Sequence, residues 1–249
     1  MQRGLFLLLL APLILGCGGR GPVTIPEEAV LKKLPPGTHH ESAEVPGVGS
    51  VKYTVEVPNG YDGKTPVPLV LALHYGYDGA RPDPYTGEGV IQAFRPGLAG
   101  LNAVVIAPDA LGGDWTDAKN EQAAVWLTKS AMKTYAIDKK RVVITGFSLG
   151  GQGTWFIGSR HQDVFTGAIP VAAPVAGGDT AWNIPVYVIH SDRDDVVPYS
   201  RAKKHADAVK QKGARLEFRT VSGLSHYKTA AYGPYVGEAV KWLQGEWKK

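Results

Sequence analysis

Three stretches of the chain carry the residue types that acyl-transfer chemistry needs. Gly146-Phe147-Ser148-Leu149-Gly150 follows the apolar run Val142 to Ile144 and leads into a helical stretch through Trp155, a strand-turn-helix setting that holds a serine hydroxyl clear of the backbone. Glycines two residues before and after the serine suit that turn, because a side chain at either place would strike the neighbouring strand and helix. A serine nucleophile needs a base, and the base needs a carboxylate that fixes its tautomer and offsets its charge. A loop with Asp192, Asp194 and Asp195 follows the run Val186 to Ile189, and His226 follows a strand around Leu216 to Val221. Serine, acid and histidine thus arrive in that order, on loops after successive strands. Spacing leaves the choice among the three aspartates open. His226 fits as base better than His190 at the end of the acid's strand, His205 on a surface helix, or His161 beyond the nucleophile's helix.

The tetrahedral intermediate of such chemistry carries an oxyanion that backbone N–H groups can stabilise. One donor is expected at Leu149 and another in His74-Tyr75-Gly76-Tyr77, the loop after Leu69 to Leu73, where His74 reads as structural. Tyr75, Tyr77 and Trp115, the last in the loop Gly112-Gly113-Asp114-Trp115, are candidates to face a substrate, with Trp115 equally suited to packing.

The elements that must position these residues alternate along the chain. Val51, Tyr53, Val55 and Val57 alternate with polar residues, as in a half-exposed strand. The runs Leu69 to Leu73, Ala103 to Ala107, Val142 to Ile144, Ala168 to Ala172 and Val186 to Ile189 lack alternation, as strands buried on both faces do. Helical patterns cover Asn120 to Tyr135, Ser200 to Lys212 and a last segment from Pro234. An α/β fold is expected, with a mainly parallel central sheet and helices on both faces. The short stretch between the Ala168 and Val186 strands leaves no room for a large lid domain.

The amino terminus reads as an address. Arg3 precedes the apolar run Leu5 to Leu15, which suits an export signal and is too short for the roughly 20 residues of a spanning helix. Cys17, the lone cysteine, ends the stretch Leu13-Ile14-Leu15-Gly16-Cys17, which resembles a bacterial lipoprotein signal. The expected division is a signal peptide over 1–16, a lipidated Cys17 with a flexible Gly/Pro-rich tether over 17–44, and one catalytic domain over 45–249. The chain would then be exported and held in the cell envelope, with the membrane as a partner through Cys17. A single cysteine excludes an internal disulfide and a cysteine-rich metal site, and a formal charge of +4 gives no basis for nucleic-acid binding. His39 and His40 have no partner cluster and read as solvated.

From about residue 51 onward the chain resembles bacterial esterases of the α/β-hydrolase superfamily, the group that includes feruloyl and acetyl-xylan esterase-like, polyhydroxybutyrate-depolymerase-like and phospholipase/carboxylesterase-like proteins. The likeness is carried by Val57 to Asp62 leading to Pro68 to His74, by Asp138 to Arg141, by Gly146 to Trp155, by the Asp-x-Val-Val-Pro run and by Gly223 to His226. It implies an α/β-hydrolase fold and a Ser148, Asp194, His226 triad that cleaves carboxylic esters through an acyl-enzyme, without a cofactor or metal. The resemblance selects Asp194 as the acid and Gly76, with Leu149, for the oxyanion hole; Tyr75 stands where the family usually has glycine. The expected substrate is an ester, polysaccharide-linked or polymeric. The alternatives are a serine peptidase of prolyl-oligopeptidase type and an inactive binding lipoprotein on the same fold.

Overall fold

The computed structural model describes residues 23–76, 84–176 and 181–249. Eight strands form one sheet: β1 (Gly37–Val45), β2 (Gly49–Val57), β3 (Val67–Leu73), β4 (Val104–Pro108), β5 (Ile137–Phe147), β6 (Gly167–Val171), β7 (Val186–Ser191) and β8 (Leu216–Val221), in the spatial order β1-β2-β4-β3-β5-β6-β7-β8. The first two pair antiparallel and β2 lies antiparallel to β4; every later pairing is parallel. All the loops that follow β3 to β8 therefore gather along one edge of the sheet.

Among the described residues five α-helices cover the two faces: α1 (Gly87–Leu98), α2 (Ala118–Thr134), α3 (Leu149–Arg160), α4 (Tyr199–Gln211) and α5 (Gly233–Glu246). The strands divide their side chains by a period of two. Leu69, Leu71, Leu73, Ile106 and Ile144 join one core with residues of α2, α3 and α4, while Val70, Ala72, Val105 and Val143 join the other with α1 and α5. Burial on both faces explains why the central strands show continuous apolar runs. The expected α/β architecture is present, and only Ala172 to Pro185 lie between β6 and β7, with no room for a large lid.

The expected boundary at residue 45 needs correction. Residues 37–44 belong to β1, which pairs with β2 along its whole length from Gly37↔Val57 to Val45↔Gly49. An edge strand with one open side takes polar residues along most of its length, so Thr38 to Glu44 lack the apolar pattern of a core strand. The segment before it is also docked: Trp126 Nε1 donates to Glu27 O, Ala29 N to Ser130 Oγ and Leu31 N to Thr134 Oγ1, all on α2, and Leu34 is buried. Cys17 and the segment 1–22 lie outside the described residues. Among the described residues no helix is long and apolar enough to cross a membrane.

Helix α1 has no counterpart in the sequence reading, since Gly87, Gly89, Pro96 and Gly97 break its pattern. Gly97 earns its place through contact: a Cβ there would run into the backbone at Gly233 and Gly237 of α5.

Candidate active site

The candidate nucleophile, Ser148, sits at the point where β5 turns into α3. Ser148 has φ 54° and ψ −117°, a conformation that costs a non-glycine residue energy and persists only when its surroundings fix it. They do so from both sides: Ser148 N donates to Val171 O of β6 at 3.0 Å, and Gln152 N donates back to Ser148 O at 2.9 Å. A Cβ on Gly146 would overlap the backbone of Gly150, and one on Gly150 would overlap Leu73 O. Both motif glycines are thus required by close backbone approach, as the spacing suggested.

His226 reaches over from the loop after β8. Ser148 Oγ and His226 Nε2 are 2.8 Å apart, and His226 Nδ1 lies 2.9 Å from Asp194 Oδ2. The side chain of Asp194 is fully buried, and its other oxygen accepts from Val196 N at 3.0 Å and Val197 N at 2.7 Å. Burial alone would raise the Asp194 carboxyl, but the hydrogen bonds from His226 and from the two amides outweigh it and hold it below the usual carboxylate range. Asp194 is therefore ionised beside a ring whose Nδ1–H it accepts, which leaves Nε2 as the acceptor for the serine hydroxyl.

The other two aspartates of that loop bond elsewhere. Asp192 Oδ1 accepts from Gly223 N at 2.8 Å, and Asp195 Oδ1 accepts from His226 N at 2.9 Å. Ser191 Oγ adds an acceptor for Leu224 N at 3.1 Å. These contacts tie the loop after β7 to the loop after β8. Sequence reasoning did not assign them, because three carboxylates within four positions carry no mark of which amide each will meet.

Two further histidines flank the site from below. His190 is wholly buried, with Nε2 3.0 Å from Val197 O and 3.6 Å from Asp194 Oδ2. His74 is buried as well: Ala110 N donates to its Nε2 at 3.0 Å, so the proton is on Nδ1, which donates to Tyr75 O at 2.7 Å. Burial is the main reason that both rings resist protonation. His74 is structural, as expected, and its role is specific. Because C=O and N–H point opposite ways across a trans peptide, a Tyr75 carbonyl turned down onto His74 turns the Gly76 N–H the other way.

Gly76 lies beside the nucleophile's helix, where a Cβ on it would come 2.9 Å from Leu149 Cδ1. Leu149 N is the first amide of α3, which has no partner within the helix, and the helix dipole favours negative charge at that end. The two expected oxyanion donors are thus neighbours, next to Ser148.

The substrate candidates fare differently. Trp115 does not line the site: its indole is buried, Nε1 donates to His74 O at 2.9 Å, and its ring packs at 5.1 Å on the His74 ring. The reason is visible at Gly153 of α3, where a Cβ would clash with Trp115 Cβ. Tyr75 is half-buried, its ring edge-on to Phe147 at 6.2 Å, and Phe147 lies 5.1 Å from the His226 ring. Tyr77 falls outside the described residues. His40 pairs with Glu88 at 2.8 Å and stacks on Tyr85, and His39 meets Pro35 O. Among the described residues no group of histidine, cysteine and carboxylate side chains could hold a metal ion.

A mainly parallel sheet with helices on both faces is matched in solved structures. The chain superposes on a thermostable esterase with a TM-score of 0.69 at 25% identity, over 84% of this chain and 62% of that one. The chain has the α/β-hydrolase fold. A second structure, the Est1E protein from Butyrivibrio proteoclasticus, gives a TM-score of 0.63 at 15% identity over 83% of this chain and 99% of its own length. The family model for phospholipases and carboxylesterases matches residues 119–231, a span that holds Ser148, Asp194 and His226. In sequence, the chain is 27% identical over 155 residues to a probable feruloyl esterase C of Aspergillus niger, covering 59% of this chain and 56% of the other. It is 27% identical over 150 residues to a bifunctional acetylxylan esterase/xylanase of Neocallimastix patriciarum, covering 55% of this chain and 20% of that protein. The chain thus spans little more than half the length of the feruloyl esterase it matches.

Proposed function

We propose that this α/β-hydrolase is an exported, lipid-anchored serine esterase that cleaves carboxylic esters of bulky, apolar or carbohydrate-linked substrates. The observation that carries the reading is the hydrogen-bond chain from Ser148 Oγ through His226 to Asp194. Ser148 Oγ attacks the ester carbonyl as His226 Nε2 takes its proton, and Asp194 offsets the imidazolium charge. The N–H groups of Leu149 and Gly76 receive the oxyanion, a contribution typically worth about 2.7–4 kcal/mol per donor. His226 then gives the proton to the leaving alcohol, which departs and leaves the acyl group on Ser148. A water attacks that acyl-enzyme with His226 again as base, releasing the acid and restoring the serine.

Two observations support the substrate class. Large apolar side chains stand exposed on the loops after four different strands of the catalytic edge: Leu111, Val175, Val196 and Tyr227, the last 79% exposed. Isolated exposed apolar residues are ordinary, but several on the edge that holds the nucleophile suit an apolar acyl or aryl group. The likeness to feruloyl and acetylxylan esterases points the same way. Export and anchoring rest on the residue pattern alone, from Arg3 through Leu5 to Leu15 and on to Cys17.

Labelling with a fluorophosphonate probe, together with hydrolysis of short-acyl, long-acyl and feruloyl-type aryl esters and a peptide amide, tests the catalytic reading. The expected result is labelling and ester turnover that vanish in Ser148→Ala. Turnover of the amide with no ester cleaved would reject the esterase assignment. For the anchor, labelled palmitate should enter the wild-type chain in a bacterial host and be absent from Cys17→Ala; equal incorporation in both would reject lipidation at that residue.

A further inference from the structure

The loop after β7 holds His226 at two points with consecutive residues. Asp194 Oδ2 accepts the ring Nδ1–H at 2.9 Å, and Asp195 Oδ1 accepts the backbone N–H of the same residue at 2.9 Å. We propose that Asp195 is a positioning residue for the base: it fixes the main chain of His226 while Asp194 fixes the ring. The proposal rests on the serine-hydrolase reading given above.

The need for such a hold follows from the base loop itself. Ser222, Gly223, Tyr227 and Lys228 are exposed, Gly223 has φ 79°, and the loop contributes little to either core apart from Leu224 at its margin. A carboxylate on the ring alone sets the direction of the imidazole, but it does not set where the Cα stands. With the Cα free to drift, Nε2 would leave its 2.8 Å position beside Ser148 Oγ even with the ring still paired. A misplacement of about 1 Å can cost on the order of a hundredfold in rate.

Asp195 removes that freedom in a way a more distant residue would not. It is joined by a peptide bond to Asp194, so both acceptors belong to one short piece of backbone and shift together. Any displacement of the acid loop then carries the base with it, and the distance between acid and ring is kept. Asp192 and Ser191 hold the amides of Gly223 and Leu224, which lie further back along the loop, whereas Asp195 bonds the main chain of the base itself. The side chain of Asp195 sits in an exposed residue with no place in either apolar core. Its loss should therefore be felt in the rate more than in the fold.

The test compares the full chain with Asp195→Ala, Asp195→Asn and Asp192→Ala. The readouts are the second-order rate of fluorophosphonate labelling, kcat and KM on an aryl acetate, and the thermal midpoint. Asp195→Ala should slow labelling and kcat by about tenfold at unchanged KM and with little change in midpoint. Asp195→Asn, whose Oδ1 still accepts the amide, should return both rates to within about threefold of the unaltered chain, and Asp192→Ala should be milder than Asp195→Ala. Unaltered rates in Asp195→Ala would overturn the proposal. So would an asparagine variant as slow as the alanine variant, or a rate loss matched by a fall in midpoint, which would make the residue merely structural. Failure of the underlying reading shows separately, as a wild-type chain that takes up no probe, and it removes the base that Asp195 would position.

Discussion

Two loops on the catalytic edge must each hold backbone in a fixed place, and they do it by opposite means. The loop after β8 is tied by the carboxylates of the exposed Asp192 and Asp195 and the hydroxyl of the buried Ser191 on its amides. The loop after β3 is held from beneath, by the buried ring of His74 on Tyr75 O and the buried indole of Trp115 on His74 O. Water reaches the exposed carboxylates Asp192 and Asp195 of the first, whereas the rings that hold the second are buried. Damage to the first should cost rate alone, whereas damage to the second should cost rate and stability together.

The largest effect tests the ring contact that both loops serve. Asp194→Asn should lower kcat by roughly 10⁴-fold, because the amide no longer enforces the tautomer that leaves Nε2 free. Asp192→Asn and Asp195→Asn should lose far less, and equal losses in all three would remove the distinction between ring and backbone contacts. Next, His74→Phe leaves the Ala110 amide and the Tyr75 carbonyl without their partner. It should lower kcat by about a hundredfold through a misaimed Gly76 amide, and stability by about 1–3 kcal/mol. A chain with normal kcat and lowered stability would show that His74 does not set the oxyanion loop. Trp115→Phe keeps an aromatic ring and removes only the bond to His74 O, so kinetics should fall by a few-fold and urea denaturation should register about 1–2 kcal/mol.

The smallest effect concerns pH and stability. His74 and His190 have folded values pushed below 6.5, chiefly by burial. In the unfolded chain both take protons as pH falls through that value, while the folded rings resist. The unfolded state then binds more protons, so stability should decline on acidification from about 6.5 by up to about 1.4 kcal/mol per pH unit for each ring. Denaturation midpoints recorded between pH 7 and 5.5 should show this slope, reduced in His190→Gln. The buried Asp194 and Glu121 carboxyls, both held below their ordinary values, add their loss only at lower pH.

Much of this was legible in the sequence because central strands and tight turns leave strong marks. Leu69 to Leu73 has apolar residues on both faces because both faces are covered, and Ser148 is flanked by glycines because backbone passes on each side. The order of the acid and histidine loops could be read for the same reason, since each follows a strand with a clear pattern. Less was legible where a residue's role depends on a partner distant in sequence. Thr38 to Glu44 looked like tether because an edge strand may be polar along its length, and Trp115 looked available because nothing local records that Gly153 makes room for it. The buried group of Glu121 with Arg160 and His161 joins α2 to the end of α3, and it too had no local signature.

The docked segment ahead of β1 also has a practical consequence. Its contacts advance from Trp126 to Thr134 as the chain advances from Glu27 to Leu31, so it runs in the same direction as α2. That helix starts at the sheet edge that holds Ser148 and ends where β5 begins, so the segment approaches from the side of that edge. The carboxy terminus leaves by the other end, where Trp247 Nε1 bonds Thr166 O just before β6. A bulky fusion partner joined just ahead of Val23 would crowd the entrance for a large substrate, while one joined after Lys249 would leave it clear. The choice of tag would then change the measured substrate range of an otherwise identical chain.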